Sequence, residues 1–247
     1  MRFLGRILRF LGITIGALVL LVAAAFGGLL LWFRPPFAGA LHAPLAIGFG
    51  VIGLAVSAAF FTRARWRALL LFLPMLFAVA AWWSSITPLN DRDWEPSVAR
   101  MPTGVIEGDT LTMQNVRHFT WSSLETAAPE RWEQRRYALA SLVSVDLIMN
   151  YWMGPHIAHP QISFGFADGA KLIWSIEVRN LRGQTFDALA GLFRTNELVF
   201  VAGDERDIIQ RRTHFSDEDV RLYRLTVDPS LMRRLLLEYV ADANRLA

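Results

Sequence analysis

The sequence predicts an α+β protein in which three transmembrane helices precede a domain with an antiparallel sheet. Apolar residues make up 53% of the 247-residue chain, and their excess lies in the first third. Residues 155–179 carry the alternating pattern of a β-hairpin, and residues 228–246 carry the pattern of an amphipathic helix. We therefore expect a transmembrane region at residues 1–87 and an α+β domain at residues 88–247.

The first element is the membrane region. Residues 10–33, 35–62 and 68–90 contain no Asp, Glu, Lys or Arg, and each run can cross a hydrocarbon core of about 30 Å. Three Arg residues precede the first run and three lie between the second and third, against one between the first and second. This bias predicts a cytoplasmic N-terminus and an external C-terminal domain. A cleaved signal peptide over residues 1–28 is the disfavoured alternative, because two more apolar runs follow.

Charge and cysteine content exclude some classes of function. Seven of the 25 basic residues and none of the 22 acidic residues precede Asp91, so the rest of the chain carries 18 basic against 22 acidic residues, a net charge of −4. That domain lacks the basic surface of a nucleic-acid-binding protein, and we expect no nucleic-acid partner. The absence of Cys excludes disulfides and thiolate metal sites within these residues.

The smaller elements of the domain follow from alternation and turn residues. We expect strands around a turn at 107–109, a strand, a turn and a strand in 131–151, one short helix at 186–193, and further strands at 197–201, 208–212 and 220–227. Asp228 and Pro229 predict an N-cap and first turn for the last helix. The charged turn at 204–207 is either a ligand clamp or, as we favour, a structural turn.

The central hairpin has two possible registers. A three-residue loop, Ala167 to Gly169, places Phe164 opposite Leu172 and gathers nearly all large apolar residues on one face. A two-residue loop would place Phe164 opposite Ile173 and mix the faces, because a one-residue slip inverts every side chain. The pattern favours the first register.

The favoured register places His159 directly opposite Glu177 on the polar face. Opposed residues of an antiparallel pair have Cβ atoms about 4.5 to 5.5 Å apart, close enough for a carboxylate to orient an imidazole that acts as a base. A polar face that merely meets water would also carry such residues. A zinc site at His156 and His159 is disfavoured, because Pro155 and Pro160 argue against the helix that this spacing needs. No metal or cofactor is expected.

Serine is the remaining candidate nucleophile on that face. Ser163 is four residues from His159, or about 13 Å along a strand. Ser175 lies diagonally across from His159, at a spacing of about 7 to 8 Å. We therefore expect His159 to face a cleft with no Ser, Thr or Lys within direct reach, and the C-terminal end of the last helix to point toward that cleft.

Six motifs carry a resemblance to a known family. They are NDRDW at 90–94, RYALASLVSVDL at 136–147, IAHPQISFGFADG at 157–169, SIEVR at 175–179, GLFR at 191–194 and DERD at 204–207. In this order they resemble the Lnb N-terminal periplasmic domain family over about residues 90–247. The family's histidine corresponds to His159, and Glu177 falls in the SIEVR motif; its orienting role comes from the hairpin register alone.

The resemblance implies a papain-like fold of the permuted NlpC/P60 type, in a multi-pass protein of the bacterial inner membrane. It also implies transfer of an acyl chain from a phospholipid donor to the amino group of a lipoprotein acceptor. The family's Cys follows the long helix that here ends at Ala247, so we expect either a truncated chain or a member without thiol chemistry. A non-catalytic periplasmic interaction domain and a cell-wall peptidase or amidase are the alternatives.

Overall fold

The computed structural model describes residues 2–37, 39–124, 126–185 and 187–247. The helices are α1 (Arg2–Phe33), α2 (His42–Ala59), α3 (Arg65–Ser84), α4 (Ala188–Gly191), α5 (Glu205–Gln210) and α6 (Pro229–Leu246). The strands are β1 (Thr103–Glu107), β2 (Thr110–Trp121), β3 (Ala127–Ala138), β4 (Leu142–Tyr151), β5 (Ala158–Phe166), β6 (Lys171–Arg179), β7 (Glu197–Gly203) and β8 (Asp219–Arg224). The α+β class is confirmed.

The chain divides into two compact units. One contains Met1–Leu89 together with Asp187–Asn196, and the other contains Asn90–Phe186 and Glu197–Ala247. The sequence did not predict that Asp187–Asn196 would group with the helices. Within that segment α4 is shorter than the helix expected at 186–193, and residue 186 lies outside the described residues.

In the first unit, α1, α2 and α3 are each long and apolar enough to cross a membrane, as predicted. Their shared core includes Ala24, Phe49 and Phe72. Gly53 lets α2 approach α1 closely, since a Cβ atom there would lie 2.1 Å from the Cβ of Ala24. His42 is the first residue of α2, where its Nδ1 lies 3.2 Å from the carbonyl oxygen of Gly39.

The second unit is organised by one eight-stranded sheet. The strand order is β1-β2-β7-β6-β5-β4-β8, β3 also pairs with β2, and the β2–β7 pair is parallel. Leu236 and Val240 of α6 pack with Phe164 of β5 and Trp174 of β6 on one face. The Asp228 side chain caps α6 by accepting from the Leu231 amide, as the sequence predicted. The opposite face has a smaller apolar core, shared with α5 and a 3₁₀ turn at Pro96–Val98.

The predicted hairpin register is confirmed. Phe164 pairs with Leu172, and Gly169 adopts a φ of +87°, which a glycine accommodates without strain from a side chain. The paired residues run as far as Gln161 opposite Ser175; the next residue on β5 is Pro160, which has no N–H to donate.

The strand expected at 208–212 is wrong. Residues Glu205–Gln210 form α5, followed by a π-helical turn at Arg211–Phe215. The side chain of Asp204 caps α5 by accepting a hydrogen bond from the Asp207 amide. This local start signal outweighs the β preference of Ile208 and Ile209.

Candidate active site

His159 and Glu177 lie in one row across the sheet, on the face opposite α6. Asn150 of β4 pairs with His159, and Val199 of β7 pairs with Glu177. Side chains alternate between the two faces along each strand. Phe164 of β5 and Trp174 of β6, at the alternate positions, pack in the core under α6, so His159 and Glu177 share the opposite face. The backbone carbonyl of His159 accepts from Asn150 Nδ2 at 3.1 Å, which fixes the strand position beneath the imidazole.

The expected proximity of His159 and Glu177 is present in the structure. His159 Nε2 lies 3.4 Å from Glu177 Oε1, and each side chain is 21% exposed. The neighbouring polar side chains of this face, Gln161, Ser163 and Ser175, are buried rather than exposed to water. The polar face is therefore a buried hydrogen-bonded layer from which His159 and Glu177 emerge.

The prediction that no serine lies within reach of His159 is wrong. Ser175 Oγ is 2.8 Å from His159 Nε2 and donates to Glu177 Oε1 at 2.7 Å. The diagonal spacing of 7 to 8 Å separates the backbones, and a long side chain such as imidazole spans it. The expectation failed because the length of the histidine side chain, and not that of the serine, decides whether the two groups meet.

The hydrogen-bond directions show what Ser175 does in this arrangement. Its single hydroxyl proton is directed to Glu177, so its oxygen accepts from Gln161 Nε2 at 3.2 Å and from His159 Nε2. Nε2 of His159 therefore carries the proton, as inferred from this network. The lone pair of the neutral imidazole lies on Nδ1, for which the described residues provide no hydrogen-bond partner.

Arg212 holds the carboxylate from the other side. Its Nη2 donates to both oxygens of Glu177, at 2.9 and 3.1 Å, while its Nη1 donates to Glu218 at 3.1 Å. Burial alone would raise the pKa of Glu177, but the hydrogen bond from His159 and the charge of Arg212 outweigh it and hold that pKa well below its usual range. Glu177 is consequently an anion at neutral pH.

Sequence reasoning missed Arg212, which the π-helical turn after α5 brings to Glu177 across 35 positions. No local signal distinguishes it, because Arg211 and Arg212 adjoin in the sequence and only the helical geometry decides which one reaches the carboxylate. The charged turn at 204–207 proves structural at Asp207, which pairs with Arg117 inside the domain.

His159, Glu177 and Arg212 line a cavity of about 360 Å³. A neighbouring cavity of about 500 Å³ adjoins it, since Glu95 and Arg211 line both. The lining of the second cavity is mostly polar, and Phe119, Trp121 and Leu124 form an apolar part of it. Trp152 lines the first cavity, and the connection between β4 and β5 that carries it also exposes Met153 and Ile157.

The C-terminal end of α6 lies near the same end of β6 as Glu177. Asn90 Nδ2 donates to the carbonyl oxygens of Leu246 and Ala247, at 3.2 and 3.3 Å, and Arg179 donates to Asn90 Oδ1 at 2.8 Å. Arg179 is two residues beyond Glu177 on the same strand. Among the described residues, no group of three or more His, Asp or Glu side chains is placed to hold a metal ion.

Comparison with known proteins agrees with the resemblance carried by the motifs. The curated proteins and the solved structures contain no significant match to the chain. The match to a family model covers β3 through α6, and thus includes the strands of the hairpin, α5 and the turn that supplies Arg212. With three apolar helices ahead of it, this domain is anchored to a membrane. Residues 128–247 match the model of the Lnb N-terminal periplasmic domain family, which confirms over this part of the chain the family inferred from the sequence.

Proposed function

We propose that this protein is an acyl-transfer enzyme of the bacterial inner membrane, with His159 as general base on a papain-like domain. The observation that supports this most directly is the way the imidazole is held. Ser175 and Glu177 fix Nε2, and the lone pair on Nδ1 is left without a protein partner among the described residues. A base oriented by an acid, with its second nitrogen available, is the arrangement that activates a thiol or an amine.

The mechanism begins with proton transfer from the thiol of an acyl acceptor to Nδ1 of His159. The thiolate attacks the ester carbonyl of a lipid, and the tetrahedral intermediate expels the alkoxide, which takes the proton back from the imidazolium. The resulting thioester is then attacked by an amino group, which gives an amide and restores the thiol. Glu177 stabilises the imidazolium through Ser175 and its own carboxylate. Ser175 acts here as a positioning residue.

The surroundings of the site favour a lipid over a cell-wall peptide. Trp152 lines the cavity, Met153 and Ile157 of the same connection are exposed apolar side chains, and the otherwise polar adjoining cavity has an apolar part at Trp121 and Leu124. A phospholipid acyl donor and a lipoprotein acceptor fit these surfaces.

The assay uses the full chain, purified from membranes in mixed micelles with a phospholipid that carries a labelled acyl chain. Because the chain contains no Cys, dithiothreitol or an N-terminal cysteine peptide supplies the thiol, and mass spectrometry detects the acylated product. General-base catalysis contributes about 10²- to 10⁴-fold, so His159→Gln should reduce the rate by at least about 100-fold. His156 is an exposed histidine in the connection between β4 and β5, and His156→Gln should leave the rate unchanged.

Equal rates for the wild type and His159→Gln would overturn the proposal. Cleavage of a cell-wall peptide, with no transfer from the phospholipid, would support the peptidase alternative instead.

We further propose that the N-terminus is cytoplasmic and the domain periplasmic. The support is the Arg bias, with Arg63 in the loop before α3 and Arg65 and Arg67 in the first turn of α3, against Arg34 alone after α1. Alkaline phosphatase fused after Ala247 should be active, because it folds only outside the cytoplasm, and green fluorescent protein fused there by the Sec route should be dark. The reverse pair of results would contradict this orientation.

A further inference from the structure

The segment Asp187–Asn196, between β6 and β7, belongs to the compact unit of the spanning helices. Its short helix α4 is capped by Asp187, whose side chain accepts from the amides of Leu189 and Ala190 at 2.9 and 3.0 Å. Two contacts, at Phe193 and Arg194, define where this segment lies along the helices.

Phe193 packs beside the apolar part of α1. Its ring stacks on Phe33, with centroids 5.3 Å apart and planes at 11°, and it also contacts the ring of Phe26 at 5.3 Å. Phe26 and Phe33 are seven residues apart, or about 10 Å along a helix axis. Phe193 therefore lies about 5 Å inward of Phe33, the last residue before Arg34.

Arg194 marks the polar boundary of the same segment. Its guanidinium lies 4.3 Å from the ring centroid of Trp83, and its Nη1 donates to the Trp83 carbonyl at 3.0 Å. Arg34 in turn donates to the carbonyl oxygen of Arg194. Trp and Arg side chains with such partners are typical of the interface between lipid and water. The segment thus crosses from the interface into the apolar layer next to α1 and α3.

Leu189 and Leu192 are the exposed apolar residues of this segment, at 53% and 68% of their full surface. They are three positions apart, so they project from one side of the turn. In water the exposure of these two apolar side chains would be unfavourable. At the depth of Phe193 the surrounding solvent is lipid.

We propose that Asp187–Asn196 is a second membrane contact, in which Leu189 and Leu192 insert among the acyl chains at the C-terminal ends of α1 and α3. The segment joins β6 to β7 in the chain. Glu177 lies on β6, two residues before that strand ends. The proposal does not depend on acyl transfer.

The lack of Cys in the chain makes a depth measurement direct. Leu189→Cys and Leu192→Cys, each carrying a nitroxide, are reconstituted in phosphatidylethanolamine and phosphatidylglycerol vesicles. Accessibility to oxygen, which concentrates in lipid, is compared with accessibility to a water-soluble nickel chelate. Asp168→Cys, at the exposed tip of the hairpin, is the matched control.

We expect the ratio of oxygen to nickel accessibility at positions 189 and 192 to exceed that at 168 several-fold. A ratio equal to that of 168 at both positions would overturn the proposal by placing the segment in water. Dipolar broadening of the spectra at high lipid dilution would also overturn it, because a second copy of the chain would then cover the two leucines. Agreement between the two labelled variants excludes a local effect of either substitution.

Discussion

Two arginine–carboxylate clusters lie on the same face of the sheet and differ in what surrounds them. In the first, Asp207 is fully buried and accepts four hydrogen bonds of 2.8 to 2.9 Å, two from Arg117 and one each from the Phe119 amide and the Trp121 indole. Arg117 directs its third nitrogen to the carbonyl of Ser97. Every charged atom of this cluster is paired inside the protein.

In the second cluster, Arg212 binds Glu177 at similar distances. The carboxylate also accepts a hydrogen bond from Ser175 and lies 3.4 Å from Nε2 of His159. The side chain of Glu177 is 21% exposed, whereas that of Asp207 is fully buried, and the imidazole of His159 retains one nitrogen without a partner among the described residues. Both clusters contain an arginine–carboxylate ion pair, so the ion pair itself does not mark a site. Partial exposure and an unsatisfied titratable group do, whereas the closed cluster serves the fold.

The closed cluster should give the largest loss of stability. Asp207→Ala leaves the buried guanidinium of Arg117 without its partner, and removal of one member of a buried pair costs about 3 to 5 kcal/mol. Thermal and denaturant unfolding of the purified protein in detergent would measure this loss. Asp219→Ala, at an ion pair in which both side chains are more than half exposed, is the control and should change the free energy of unfolding by less than about 1 kcal/mol. Similar losses for the two variants would contradict the distinction between closed and exposed pairs.

The open cluster should be less costly to break. Glu177→Gln keeps the size of the side chain, and Arg212 retains Glu218 as a partner. A hydrogen bond to a charged group contributes about 1.5 to 3 kcal/mol, so we expect a loss in that range. The same substitution should reduce acyl transfer, because the imidazolium loses its counter-charge. An unchanged reaction rate with reduced stability would show that Glu177 serves the fold alone.

The pH dependence of stability should separate Glu177 from the rest of the molecule. The pKa of Glu177 is lowered in the folded state, so its contribution is fully present above the unfolded value of about 4.3 and is lost as pH falls from there toward the folded pKa. Denaturant unfolding of the wild type and Glu177→Gln between pH 7 and pH 3 measures this directly. The stability difference between them should shrink as the pH falls below about 4.3. A difference independent of pH would refute the depressed pKa.

The parts of this site that the sequence predicts are those fixed by neighbouring residues. The hairpin register follows from a loop that requires Gly169 and from the alternation of Phe164, Leu172 and Trp174, all within one short stretch. The proximity of His159 to Glu177 then follows from geometry. Arg212 could not be predicted in the same way, because its position depends on α5, where the Asp204 cap outweighs a β-like pattern.

The error at Ser175 has a different cause. A diagonal spacing of about 7 to 8 Å between backbones still permits contact when one of the two side chains is as long as an imidazole. The imidazole of His159 leans along the sheet far enough to place Nε2 between Ser175 and Glu177. Rotamer choice of this kind depends on contacts from outside the hairpin, and Arg212, from a distant turn, binds the same carboxylate.

The smallest effect is expected for Ser175→Ala, and it tests whether the open cluster uses this hydroxyl as a nucleophile or as a link. Ser175 is buried, and its proton is directed to Glu177 rather than to the histidine. The substitution removes one hydrogen bond to the Glu177 carboxylate, but that carboxylate keeps its bonds to Arg212, so the loss should lie at the low end of about 1.5 to 3 kcal/mol. Because His159 Nε2 remains 3.4 Å from Glu177, acyl transfer should persist at a reduced rate, well above that of His159→Gln. Ser163→Ala is the matched control, because Ser163 lies on the same strand face as His159 and is buried like Ser175. A rate for Ser175→Ala as low as that of His159→Gln, with the free energy of unfolding unchanged, would instead make Ser175 the nucleophile of a serine enzyme.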